Sequence, residues 1–494
     1  MNSFPSIVGT FFLLLAWGVS LAAADKPNVL FIVCDDLNTH VSTSGYAQIK
    51  TPAFEKLATS GVTFDRAYCQ YPVCGPSRAS FLHGLYPQST QVLDNKTDIR
   101  DVRPGTVSLP QLFKESGYWT GAVGKVFHNE TIDPGNLAWN EMKRFENDEM
   151  PIVTPIRERF EAKHGSVWEG KARKAWREFY PTIATQTRGQ QPGYGPTGLE
   201  DHQHKDGKNA RQIAAWLKSE VYGDQPFFMA CGIQKPHVPF LAPDKYFAMY
   251  PKEELNFEPA SLEFWDHVPP IAGTKRYEGF GLEFGKENKQ LRGDYIQAYH
   301  ACISFIDAQI GLVLNALEES GHADDTIVVL TSDHGYLLGE KFMWGKVMLF
   351  ELCDRVPLVV RVPRSIHAAS DNAGQKSDSL VELVDLYPTL VELCELEPPA
   401  GLQGTSLVGI LKDPSAEVKE VAYTVVTRGA NLGKAIRTTR YRYTLWPSGE
   451  ELYDLEEDPQ ETHNLAKDAR HMDTLKAMRK KLAETEARAS SRIK

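Results

Sequence analysis

The sequence predicts an α/β protein: a doubly wound, mostly parallel sheet flanked by helices, with a smaller C-terminal α+β subdomain on a short antiparallel sheet. Three observations predict it. Val29–Cys34 (VLFIVC) and Thr326–Thr331 (TIVVLT) are continuous apolar runs rich in β-branched residues, the composition of strands buried on both faces. Helical patterns alternate with such runs along most of the chain. After Pro398-Pro399-Ala400-Gly401 the texture changes to short, closely spaced strand patterns.

Taken in order, Val29–Cys34 is followed by a helix over Pro52–Ser60 (PAFEKLATS), which Gly61 stops. Leu109–Ser116 is helical, Tyr118–Val123 extended, Lys208–Glu220 helical and Phe227–Cys231 extended. Lys289–Ser320 is a long helix with Tyr295, Tyr299, Cys302, Phe305, Ile306, Ile310 and Val313 on one face, ended by Gly321. Pro357–Val362 (PLVVRV) is a further buried strand. Val421–Val426, Gly433–Thr439 and Tyr441–Trp446 are short antiparallel strands, and Lys467–Ala487 is a charged terminal helix. The boundaries expected are 1–24 as an export signal, 25–400 as the α/β domain and 401–494 as the subdomain. Residues 140–205, polar and Pro-rich, are expected as an insertion that shapes the cleft.

The signal rests on the apolar run Ile7–Leu21 and the small residues Ala22-Ala23-Ala24 before Asp25. It predicts a secreted or periplasmic protein, and no later stretch reads as a stable membrane span. The 494 residues, 42% hydrophobic and 24% charged, can bury a large core. A formal charge of −10 argues against nucleic acid as a partner. It leaves anionic substrates open, because a cation 4 Å from a substrate is worth up to roughly 4 kcal/mol at an effective dielectric of 20. Seven cysteines leave at least one thiol unpaired, and Cys34 and Cys231 read as buried free thiols.

Asp35-Asp36 and Asp333-His334 each follow a predicted strand directly, where a doubly wound sheet collects its site. One Asp after a strand is usually a helix cap. Two such pairs at equivalent ends point to a cation between them, and oxygen-rich ligation suits Ca²⁺ or Mg²⁺. In Cys74-Gly75-Pro76-Ser77-Arg78 the proline suits a first helical turn, placing Cys74 near a helix N-terminus, which stabilises anions. A soft thiolate is a poor partner for a hard cation. Replacing sulfur by oxygen removes the mismatch.

Cys-x-Pro-Ser-Arg followed by Leu82-His83-Gly84 resembles the signature of the sulfatase family, of the alkaline phosphatase superfamily, in which the cysteine is oxidised to formylglycine. His83 stands where Thr is usual. The resemblance continues through Asp35-Asp36, Gly124-Lys125-Val126-Phe127-His128, Lys235-Pro236-His237-Val238-Pro239-Phe240 and Ser332-Asp333-His334-Gly335, and ends in Glu451-Leu452-Tyr453-Asp454-Leu455. GKVFH, and the spacing from Ser332 to Lys346, are most similar to the iduronate-2-sulfatase branch, although Tyr336 stands where that branch can carry Trp.

The resemblance implies a sulfuric ester hydrolase acting on a sulfated sugar or glycosaminoglycan oligosaccharide, matured by a formylglycine-generating enzyme. Asp35, Asp36, residue 74, Asp333 and His334 would hold the metal. Formylglycine at 74 would hydrate to a geminal diol; one hydroxyl attacks sulfur and the other expels sulfate. Arg78 and Lys125 would hold the diol, His128 would act as base, and His237 and Lys346 would bind sulfate. Tyr336 and Trp446 are aromatic candidates for the sugar face. The sequons at Asn95 and Asn129 are short enough to arise by chance, and His40, His83, His202 and His204 read as loop or supporting residues. Two alternatives stand beside this: a phosphonate monoester hydrolase or phosphodiesterase of the same superfamily, and a silent sulfated-glycan binding protein whose Cys74 is never oxidised.

Overall fold

The computed structural model describes residues 26–128, 137–176, 178–179, 193–274, 278, 280–363 and 372–490. The expected signal segment and the Asn129 sequon lie outside them. The larger sheet has eight strands: β1 (Asn28–Asp35), β2 (Val62–Tyr68), β3 (Trp119–Gly124), β4 (Glu141–Lys143), β5 (Phe227–Pro236), β6 (Thr326–Ser332), β7 (Arg355–Arg361) and β8 (Lys376–Glu382). Their spatial order is β8-β2-β7-β6-β1-β5-β3-β4. Every neighbouring pair is parallel except those of β7, which runs antiparallel to both β2 and β6.

β1 shows why the fold is doubly wound. All eight of its residues are buried. Leu30, Ile32 and Cys34 enter one hydrophobic cluster, and Val29, Phe31 and Val33 enter the cluster on the opposite face. Helices α1 (Pro52–Ala58), α4 (Lys205–Ser219) and α5 (Lys289–Glu319) cover the first face. Helices α2 (Cys74–His83), α3 (Leu109–Glu115) and α6 (Leu386–Leu393) cover the second. The Asn288 side chain accepts the Leu291 N–H and caps the start of α5.

α5 is itself long and apolar enough to span a bilayer by composition. Its residues are mostly buried against α1, α4 and the sheet, so the apolarity belongs to a core helix. The Asp307 carboxylate on α5 also accepts the N–H groups of Ala53 and Phe54, tying it to the start of α1.

The C-terminal sheet is antiparallel in the order β9 (Ala422–Arg428), β10 (Asn431–Arg437), β11 (Tyr441–Trp446), β12 (Gly449–Asp454). Helix α7 (Met472–Ala489) seats Leu475, Met478 and Leu482 on it. The same cluster takes in Tyr71 and Val73, so the small sheet braces the segment leading into α2. Within 140–205, β4 and a helix over Thr154–His164 are formed, and Asp148 pairs with Lys208 of α4.

Candidate active site

The C-terminal ends of β1, β3, β5 and β6 share one edge of the sheet. Pairing of Cys34 with Ser332 brings Asp35-Asp36 beside Asp333-His334. Asp36 takes a left-handed backbone with φ of 65°, uncommon for a residue with a side chain. Its N–H donates to Asp333 Oδ1 at 3.1 Å, and its carbonyl accepts the Tyr299 hydroxyl at 2.6 Å. Contacts from α5 and β6 thus hold a conformation that a free chain would rarely visit.

Cys74 is the first residue of α2, preceded by an extended Val73. The Gly75 N–H donates to Asn95 Oδ1 at 2.8 Å, and a Cβ at position 75 would press on that same loop, so only glycine fits there. Around the Cys74 sulfur lie Lys346 Nζ at 3.0 Å, His334 Nε2 at 3.4 Å and Asp36 Oδ1 at 3.9 Å. Lys346 Nζ also donates to Asp36 Oδ1 at 2.5 Å. One turn along α2, Arg78 Nε donates to Asp333 Oδ2 at 2.9 Å, and its terminal nitrogens reach Asp35 Oδ1 and the carbonyls of Lys125 and Val126. Lys125 Nζ donates to Asp35 Oδ2 at 2.7 Å.

Burial alone would raise the Asp35 and Asp36 carboxyls. Lys125, His237 and Arg78 instead hold Asp35 well below the usual carboxylate range, and Lys346 and His237 lower Asp36. Burial disfavours the charged forms of Lys346 and His334 too, but the carboxylates prevail. Asp36 raises Lys346 well above the ordinary lysine value, and Asp333 helps lift His334 to about 9. His334 Nδ1 faces the Gly335 carbonyl at 2.9 Å, which can only accept, so Nδ1 keeps its hydrogen, and the proton that a bound cation would displace is the one on Nε2, aimed at the cluster. His128 behaves oppositely: burial, then Lys125 and Arg78, push it down to about 4 and keep it neutral. His237, a quarter exposed, holds Nε2 at 3.9 Å from Asp36 Oδ2.

Every residue expected to hold the metal or act on sulfate is therefore gathered by the fold. The ligand atoms of Asp35, Asp36, Cys74 and His237 lie within 4.8 Å of one another, as do those of Asp35, Cys74, Asp333 and His334. Asp36 Oδ2 is buried with no hydrogen-bond partner among the described residues, the mark of an oxygen aimed at a cation. Besides Cys74, each group offers two carboxylates and one imidazole, hard enough for an alkaline-earth ion. The sulfur of Cys74 is the one misfit, and an oxygen in its place makes the set uniform.

Some expectations fail. Tyr336 is buried, stacked on Tyr299 and edge-on to Phe240. Trp446 is buried within the C-terminal sheet, its Nε1 donating to Glu451 Oε1 at 2.7 Å and its ring lying on Gly433. Neither presents a sugar face, because both rings are buried in hydrophobic core clusters. All seven cysteines are buried free thiols. Of the discounted histidines, His83 packs near Phe127 at the end of α2, His204 precedes α4 and His40 stacks on Tyr46. Sequence reasoning missed Tyr299, counted only as part of an apolar face, and Ser77, whose Oγ donates to the Asp333 carbonyl at 2.5 Å. The CGPSR motif already contained Ser77; nothing in the α5 pattern marks Tyr299.

Residues 27–396 match the model of a family described as Sulfatase, and residues 339–488 match that of the N-sulphoglucosamine sulphohydrolase C-terminal region. The chain belongs to the sulfatase family. A protein named Sulfatase from Formosa agariphila is 34% identical over 482 residues, covering 94% of this chain and 87% of that one. The iduronate 2-sulfatase of Mus musculus is 30% identical over 566 residues, covering 97% and 98%. Among solved structures, the phosphonate monoester hydrolase of Agrobacterium radiobacter aligns with a TM-score of 0.74 and 22% identity over 94% of this chain and 96% of that one, a likeness of fold.

Proposed function

We propose that this sulfatase removes the 2-O-sulfate of iduronate from glycosaminoglycan fragments, through a formylglycine made from Cys74 and a calcium ion held by Asp35, Asp36, Asp333 and His334. One observation carries the reading of the site. The side chain of residue 74, at a helix N-terminus, lies within 4 Å of Lys346, His334 and Asp36, so a nucleophile there is flanked by a cation and a hard-ion ligand set. The likeness to mouse iduronate 2-sulfatase over nearly the full length of both chains supports the sugar. Maturation would need a formylglycine-generating enzyme, and the N-terminal apolar run supports export.

A hard divalent cation bound in this cluster supplies Lewis-acid polarisation of the sulfate oxygens. Lys346 stabilises negative charge that grows on the nucleophile and the sulfate during attack. His237, a quarter exposed with Nε2 3.9 Å from Asp36 Oδ2, binds a sulfate oxygen through an Nε2–H and passes that proton to the leaving alcohol. His128, kept neutral, takes the proton when the aldehyde re-forms. Arg78 and Lys125 keep Asp35 ionised, and Arg78 fixes the Asp333 carboxylate through its Nε.

Intact-mass analysis of the peptide containing residue 74 tests the modification, and Cys74→Ala tests the nucleophile. Loss of sulfatase activity with near-normal folding is expected; substantial turnover by the alanine variant would overturn the proposal. Rates on an aryl sulfate against an aryl phosphate diester separate the reading from a phosphonate or phosphodiester hydrolase. Desulfation of heparan, dermatan and chondroitin disaccharides tests the sugar.

A further inference from the structure

Lys235 is a buried lysine that forms no ion pair with a carboxylate among the described residues. Burying an ammonium without a counter-charge is costly, so its surroundings show what it is kept for. Its Nζ donates to the His237 carbonyl at 2.9 Å and to the Pro239 carbonyl. The carbonyl between them, that of Val238, accepts from His237 Nδ1 at 2.7 Å. On the other side, Asp206 in the first turn of α4 accepts the Gln234 N–H through Oδ1 at 2.8 Å and the Lys235 N–H through Oδ2 at 2.9 Å. The His237 N–H closes the turn onto the Gln234 carbonyl at 3.0 Å. Residues 234–239 are therefore tied at both ends, and the ties converge on one ring.

We infer that Lys235 and Asp206 are positioning residues for His237: they fix the turn carrying the carbonyls of residues 237–239 so that the His237 ring keeps its Nδ1–H on the Val238 carbonyl, and the proton it passes to the leaving alcohol is the one carried on Nε2, facing the reacting sulfate. The inference deepens the role given to His237 above and rests on it. With Lys235 present, the carbonyls of 237 and 239 point at the ammonium, and the only acceptor left to the ring on this turn is the Val238 oxygen. A carbonyl only accepts, so Nδ1 keeps its hydrogen, and the proton that the ring takes up and hands to the leaving group is the one on Nε2. Removing the ammonium frees both carbonyls to rotate and the ring to turn with them. Displacement of a catalytic group by about 1 Å can cost about 10²-fold in rate.

The test combines a double-mutant cycle with a direct reading of the ring. Lys235→Met and Asp206→Asn are made singly and with His237→Ala, and kcat and KM are measured on an aryl sulfate, with a melting curve for each variant. Lys235→Met should lower kcat by about 10-fold to 100-fold with a smaller change in KM. In the His237→Ala background the same change should add little, because its target has gone. Equal fold-losses in the two backgrounds, or an unchanged kcat, would overturn the inference. Histidine-labelled NMR, with the His237 signal assigned by its loss in His237→Ala, reads the tautomer without activity. Wild type should show a single Nδ1–H form and Lys235→Met a mixture; the same single form in both would also overturn it. If His237→Ala alone keeps full activity, the functional role of His237 fails while the NMR arm still decides the positioning. Asp206→Asn, which keeps one acceptor of two, serves if Lys235→Met does not fold.

Discussion

Replacing Lys346 by methionine removes a charge while nearly preserving the volume of the side chain. The ammonium lies 2.5 Å from Asp36 Oδ1, and both groups are buried. Removing one partner of such a pair costs about 3–5 kcal/mol, because the other charge stays buried without compensation. His334 Nε2 remains 3.4 Å from the same oxygen, which places the expected loss near the lower end, about 3 kcal/mol. Calcium at about a hundred times its dissociation constant contributes about 2.7 kcal/mol to either protein, and losing the competing ammonium should tighten its binding to Asp36 in the variant. Lys346→Met should therefore melt earlier than wild type in chelator, and part of the difference should close when calcium is added. Catalysis is a separate matter. Loss of one charge-stabilising contact in the transition state costs about 10²–10³ in kcat, and this should appear on every sulfate ester, including a small aryl sulfate. The assay is kcat and KM on an aryl sulfate and on a sulfated disaccharide, with melting curves with and without calcium. A kcat within a few-fold of wild type, or a loss confined to the disaccharide, would refute the assignment of Lys346 to the sulfate.

Asp333→Asn should weaken metal retention and activity together, since one unit charge near the ion is worth up to about 4 kcal/mol at an effective dielectric of 20; elemental analysis for calcium and magnesium measures it, and one zinc per chain in their place would count against the oxygen-rich set. Trp446→Ala should cost about 3–5 kcal/mol as a core truncation and lower activity on aryl sulfate and disaccharide alike; selective loss on the disaccharide would return the ring to the sugar site. Burial pushes the His83 imidazole down to about 4 from 6.5. The unfolded chain therefore binds the extra proton first as pH falls, so stability is full above about 6.5 and declines toward 4, by about 2–3 kcal/mol at pH 4.5 for this residue. His83→Gln should make the fall in melting temperature between pH 7 and 4.5 shallower, and an identical fall would show that His83 does not carry it.

Much of the sheet was legible because its central strands are buried on both faces and hence apolar throughout. β1, β5 and β6 fall within a few residues of the expected runs, as do α1, α3, α4 and α5. β2 (VTFDRAY) and β8 (KSDSLVE) were not foreseen: they lie toward one edge of the sheet, where polar residues interrupt the run. The reversed direction of β7 was not legible either, because a buried strand reads the same in both directions and only its partners set its sense.

The site divides in the same way. Local chemistry in the sequence determined that Asp35, Asp36 and Asp333 follow strands, that Cys74 opens a helix, and that a thiolate there suits no hard cation. Lys125, His128, His237 and Lys346 carry no signal of their own, since lone lysines and histidines are common, and only the resemblance to a family marked them. Tertiary structure decided what the aromatic residues do. Tyr336 and Trp446 have the composition of a sugar platform and the packing of a core, and a sequence does not distinguish the two because burial depends on what arrives from distant segments. It also decided how Asp36 is aimed. The left-handed backbone at that residue is unfavourable locally and is held by the Asp333 carboxylate and the Tyr299 hydroxyl, brought to it from about 260 to 300 residues away.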